Sequence, residues 1–129
     1  MSDLKITTPH LGINSPKKAF LKDFNIAFGE GDIPAIMKGV SEDITWDIHG
    51  DRRIEGKEAF GKFLEEMVQH QPSEVHIHHI ITHGKEAAVN GEVVMADNKR
   101  YAFADIYEFT SAGSQVIKYM SSYVHELVF

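Results

Sequence analysis

EVHIHHIITHGKEAAVNGEVVMADNKRYAFADIYEFT, residues 74–110, decides the fold. Before it, apolar residues recur at helical spacing; from Glu74 onward they alternate or run in short blocks broken by HGKE and DNK. Three extended segments follow, Glu74 to His83, Ala87 to Ala96 and Arg100 to Thr110, and a fourth, Gln115 to Leu127, comes after the turn SAGS. Connections this short make consecutive strands antiparallel neighbours. The region is a meander.

Working back toward the N-terminus, the period changes. Ser15-Pro16 predicts a helix start, with Ser as N-cap and Pro in the first turn, and Phe20, Phe24, Ala27 and Phe28 then mark one face up to Gly29-Glu30-Gly31. Asp32 is placed to cap a short helix over Ile33 to Lys38. Asp43 to His49 (DITWDIH) alternates as a strand, and GDRRIEG reads as a loop. Lys57 to His70 carries Phe60, Phe63, Leu64, Met67 and Val68 on one stripe, an amphipathic helix stopped by Pro72. Residues 1–14 read as a flexible arm, and 15–129 as one domain.

Three helices before a run of antiparallel strands specify an α+β domain whose helices pack on the concave face of a curved sheet. Such a cone has a pocket at its open end. The last strand is apolar or aromatic on both sides, Ile117, Tyr119 and Tyr123 against Val116, Met120 and Val124, which predicts a homodimer through the outer sheet face.

Composition narrows the function. A net charge of −6, with Arg52-Arg53 as the one arginine pair, argues against nucleic acid as a partner. No apolar run approaches the roughly 20 residues of a membrane span, so no membrane partner is expected and a cytoplasmic location is the default. The chain has no cysteine, which removes thiolate nucleophiles and cysteine-ligated zinc. His76 and His78 in HIHH face the same way on a strand, but two ligands do not make a metal site, and they read as sheet-face histidines.

Asp105 poses the sharpest question. Strand alternation puts it on the side of Tyr101, Phe103, Tyr107 and Phe109, where an ionised, unpaired carboxylate costs several kcal/mol. Its pKa should rise, making it either a hydrogen-bond donor to a ligand oxygen or a rim acid bonded to a tyrosine. Asp47 shares a strand face with Thr45 and His49; the pair could move protons or form an ion pair near solvent. A histidine-based site built on His49 with His76, His78 or His125 is a further possibility.

EGD at 30–32, DITWDIHG at 43–50, GKEAF at 56–60 and ADIYEFTSAG at 104–113 together resemble the nuclear transport factor 2-like superfamily, in its SnoaL-like and ketosteroid-isomerase-related branches. The resemblance runs from Ser15 to Leu127. It implies Asp47 as the proton-abstracting base and Asp105 as a protonated oxyanion donor, the arrangement known from the steroid isomerases, and the strand-face reading adds His49 as a group orienting Asp47 or acting as a second acid. One departure stands out: Phe24 occupies the place of the isomerases' helix-borne tyrosine donor. The sheet would line the pocket with Tyr101, Phe103 and Tyr107, the first strand with Trp46, the helices with Phe24 and Phe63, and the last strand with Tyr119 and Tyr123. The implied function is binding of a small hydrophobic, carbonyl-bearing molecule, with proton transfer of the isomerase, cyclase or dehydratase type and no cofactor. A non-catalytic carrier or protein-interaction module of the same fold is the alternative.

Overall fold

The computed structural model describes residues 4–9 and 15–128. Its elements run β1 (Lys5–Thr7), α1 (Pro16–Glu30), α2 (Ile33–Lys38), β2 (Val40–Ile48), β3 (Arg52–Glu55), α3 (Lys57–Met67), β4 (Pro72–His83), β5 (Glu86–Met95), β6 (Arg100–Phe109) and β7 (Ile117–Leu127). All strands form one sheet in the order β1-β4-β5-β6-β7-β2-β3. The four late strands are the expected antiparallel meander. β2 then adds to β7 in parallel, and β3 pairs back on β2.

Local chemistry explains the boundaries. Ser15 caps α1 by accepting from Lys18 N, and Gly31 ends it with φ of 69°, a conformation that glycine adopts without steric cost. Asp32 caps α2 by accepting from Ala35 N at 3.2 Å. Three expectations need correction. GDRRIEG is a tight turn plus β3, because Arg52 to Glu55 pair with Ile48 to Thr45. The third helix ends at Met67 and not at His70. Of the expected arm, Lys5–Thr7 is a strand parallel to β4, while residues 1–3 and 10–14 lie outside the described part.

β4 carries a register irregularity between Ile77 and His79, the kind of bulge that bends a strand and curves its sheet. Gly91 of β5 lies opposite Ile77, and a Cβ there would run into the carbonyl oxygen of His76 and within 3.0 Å of the Phe103 ring. Into the resulting concavity the helices press Leu21, Phe24, Ile36, Phe60 and Leu64, against Ile44, Tyr107, Phe109 and Ile117 from the sheet. Aromatic rings continue the contact from α1 across to β2 and α3: Phe24 to Phe28 at 5.2 Å, Phe28 to Trp46 at 5.7 Å, and Trp46 to Phe60 at 5.5 Å. Lys17 reaches from α1 to the carbonyls of Gly84 (2.9 Å) and Ala112 (2.6 Å), tying the helix to two sheet turns. Among the described residues no helix is long and apolar enough to cross a membrane.

Candidate functional site

Alternation along β6 directs Phe103, Asp105 and Tyr107 into the concave side of the sheet. There they line a cavity of about 300 Å³. Its walls are apolar: Phe28 from α1, Trp46 and Ile48 from β2, Phe63 and Met67 from α3, and Val75, Val93 and Met120 from the sheet. The polar residues that line it are few, namely Asn25, Asp105, Ser122 and the solvent-exposed Asp51 and His70.

Asp105 is flanked by two hydroxyls, each of which accepts a hydrogen bond from another group and so has its own proton to give. The indole of Trp46 donates from Nε1 to Ser122 Oγ at 2.8 Å; an indole N–H can only donate, so the Ser122 proton is free to go to Asp105. On the other side Asn25 Nδ2 donates to the Tyr107 hydroxyl at 3.2 Å, and that hydroxyl donates to Asp105 Oδ2 at 3.4 Å. Burial pushes the Asp105 pKa up, the bonds from Ser122 and Tyr107 pull it back, and it settles at about 6. The Tyr107 pKa is also raised, first by burial and then by the neighbouring carboxylate. Asp105 is thus a proton acceptor near neutrality and an acid slightly below it.

The family model of the SnoaL-like domain matches residues 21–118. The chain belongs to the SnoaL-like domain family. No curated protein matches the sequence. Solved structures show the same fold. An NTF-2 like protein of unknown function from Burkholderia xenovorans LB400 is 16% identical with a TM-score of 0.75, covering 88% of this chain and 85% of its own. An LEH-like epoxide hydrolase from M. tuberculosis is 17% identical with a TM-score of 0.71, covering 84% and 82%. SalBIII, an epoxide hydrolase/cyclase-like enzyme of pyran ring formation in the polyether salinomycin, is 21% identical with a TM-score of 0.69, covering 84% and 90%.

In this SnoaL-like domain Trp46, Phe63, Phe103, Tyr107 and Asp105 line one cavity. Phe24 lies beneath it, 3% exposed and edge-on to Tyr107, as part of the core. Tyr101, Tyr119 and Tyr123, expected to line the cavity, are not among the lining residues, the last two because their alternation on β7 puts them on the outer face with Asp47 and His49. Asp47 and His49 are absent from the cavity as well, because Trp46 and Ile48 take the inward face of β2 and leave their neighbours on the outer one. The base-and-donor division implied for Asp47 and Asp105 therefore has no shared cavity to work in.

Outside, Asp47 accepts from the Tyr119 hydroxyl at 2.6 Å and faces Arg53 Nε at 3.6 Å. Ser121 bonds to Tyr119 and lies 2.7 Å from His49 Nε2, while the His49 ring stacks on Tyr123 at 4.3 Å. The Tyr119 pKa is raised, mainly because ionisation would forfeit its bond to Asp47. Replacing Tyr119 with Phe is expected to cost about 1 kcal/mol in urea unfolding and to leave the Asp105 titration unchanged, since the two lie on opposite sheet faces. His76 and His79 bond to Glu74 (2.8 Å) and Asn90 (3.0 Å), and among the described residues no three side chains are grouped to hold a metal.

Sequence reasoning missed Asn25 and Ser122. Ser122 had a signal, the alternation Met120, Ser122, Val124 along β7, but its pairing with Asp105 depends on register. Asn25 sits among phenylalanines on α1 and gave none.

Proposed function

We propose that this SnoaL-like domain binds a small, mostly apolar, carbonyl-bearing molecule in the cavity under Trp46 and moves a proton on it through Asp105. The supporting observation is a carboxylate bonded by two hydroxyls in a mostly apolar chamber, with a pKa of about 6; the other lining carboxylate, Asp51, is solvent-exposed. Such a group takes a proton from carbon beside a carbonyl, the electron pair moving to the carbonyl oxygen, and returns the proton at another position. This is the chemistry of isomerases, aldol-type cyclases and dehydratases. Asp105 performs both transfers, because Asp47 lies on the other side of the sheet.

One observation favours a carrier instead. Trp46 Nε1, Asn25 Nδ2 and the Tyr107 hydroxyl are all engaged within the protein, so none is spare to hold an oxyanion. Carbon-13 NMR titration of the Asp105 carboxyl, with and without small ketones, phenols and a steroid, separates the readings. A midpoint near 6 that shifts on binding, with turnover lost in Asp105→Asn, supports catalysis; ligand binding with the Asp105 signal unmoved supports a carrier.

The same reading includes a homodimer through the outer sheet face, where Ile106 and Tyr123 are each 48% exposed and Ile81 is 61% exposed. Light scattering should give twice the monomer mass for the wild type and a monomer for Ile106→Asp. A monomeric wild type at tens of micromolar excludes the dimer.

A further inference from the structure

The amide of Asn25 is only half used. Asn25 is 8% exposed, projects from α1 and lines the cavity. Both hydrogens of its Nδ2 are committed, one to the Leu21 carbonyl at 2.9 Å and one to the Tyr107 hydroxyl at 3.2 Å. A carbonyl can only accept, so Leu21 fixes which end of the amide is nitrogen. The other end, Oδ1, has no donor among the described residues. Among the described residues no side-chain polar atom that lacks a partner is fully sealed, so Oδ1 keeps an accessible surface, and the space beside Asn25 is the cavity.

The other deep polar groups are committed in a consistent direction. Ser122 receives from Trp46 and gives to Asp105; Tyr107 receives from Asn25 and gives to Asp105. Away from the solvent-exposed Asp51 and His70, what remains for a ligand is two acceptors, Asn25 Oδ1 and the carboxylate of Asp105, among apolar walls. A buried acceptor left opposite an apolar group loses the water it had and gains nothing.

We infer that Asn25 Oδ1 is a specificity contact, accepting a hydrogen bond from a hydroxyl or N–H carried by the ligand, so that the cavity selects apolar molecules bearing such a donor. The inference rests on the ligand-binding reading above and narrows its substrate class to hydroxylated or N–H-bearing carbonyl compounds. The same donor chemistry could be supplied by a bound water, and matched ligand pairs distinguish the two. A ligand hydroxyl gives a preference that depends on Asn25. A water bound there leaves the pairs equivalent.

The test measures binding of 4-hydroxyacetophenone against acetophenone, and of 2-naphthol against naphthalene, through Trp46 fluorescence. The wild type, Asn25→Leu and Asp105→Asn are compared. The wild type is expected to prefer the hydroxylated member of each pair by about 10-fold or more. That preference should vanish in Asn25→Leu and persist in Asp105→Asn. In the unaltered protein, the Asn25 side-chain carbonyl carbon should shift with the hydroxylated ligands only, which keeps the test decisive if Asn25→Leu fails to fold. Binding without preference, or a preference that survives in Asn25→Leu and disappears in Asp105→Asn, overturns the assignment of Asn25 while leaving the pocket intact. No binding of any of the four compounds to the wild type overturns the ligand-binding reading together with this one.

Discussion

Asp105→Asn is expected to change the pH dependence of stability by about 3 kcal/mol between pH 3.5 and pH 7, following from a folded pKa of about 6 against an ordinary value of 3.8. The direction is fixed by which state holds the proton. Between these two values the native state keeps the Asp105 proton and the unfolded chain has released it, so this group's contribution to stability is fully present below pH 4. It is lost as pH rises through 6. The variant has no carboxyl there and escapes the loss, so it should gain on the wild type as the solution is made neutral. Part of the gain is offset because the new amide must donate to one of the two hydroxyls that now donate to Asp105. Urea unfolding of both proteins at several pH values reads the difference, and parallel curves would show that Asp105 is not held out of water. A catalyst that keeps a costly acid in its chamber trades stability for activity, so the same variant should lose turnover by at least about 100-fold.

Gly91→Ala should cost about 3 kcal/mol, for a reason unrelated to chemistry at the site. The added methyl would meet the His76 carbonyl, which is backbone and paired into the sheet, and the Phe103 ring, which walls the cavity. Neither can yield without flattening the bend. The urea midpoint should fall, and ligands that fit the wild-type cavity should bind more weakly because Phe103 has moved. An unchanged midpoint would mean that the curvature does not depend on this close approach.

Much of this architecture was legible in the sequence because local signals agreed with the final packing. Ser15-Pro16, Asp32 and the switch of period at Glu74 each act through neighbours within a few residues, so the helices and the meander could be placed. β3 was hidden because Arg52 to Glu55 has no strand-like composition and is extended only by pairing with β2. Within the site, the inward direction of Asp105 followed from alternation alone, whereas that of Asp47 could not be settled without knowing which face of β2 meets the helices. Trp46 decides it: the large indole takes the apolar side and turns Asp47 and His49 away. Asn25 and Ser122 matter through hydrogen bonds between distant segments, and no local pattern encodes those.

The place of β2 in the sheet has a consequence for synthesis. β2 and β3 join the other strands only through β7. On a ribosome adding about 5–20 residues per second, the hairpin that carries Trp46 therefore waits several seconds for its partner strand. During that interval the edge of β2 that will pair with β7 keeps its backbone N–H and C=O groups unpaired. The topology that opens a chamber between β2 and the meander thus leaves one edge of β2 without its ladder partner until β7 has been made.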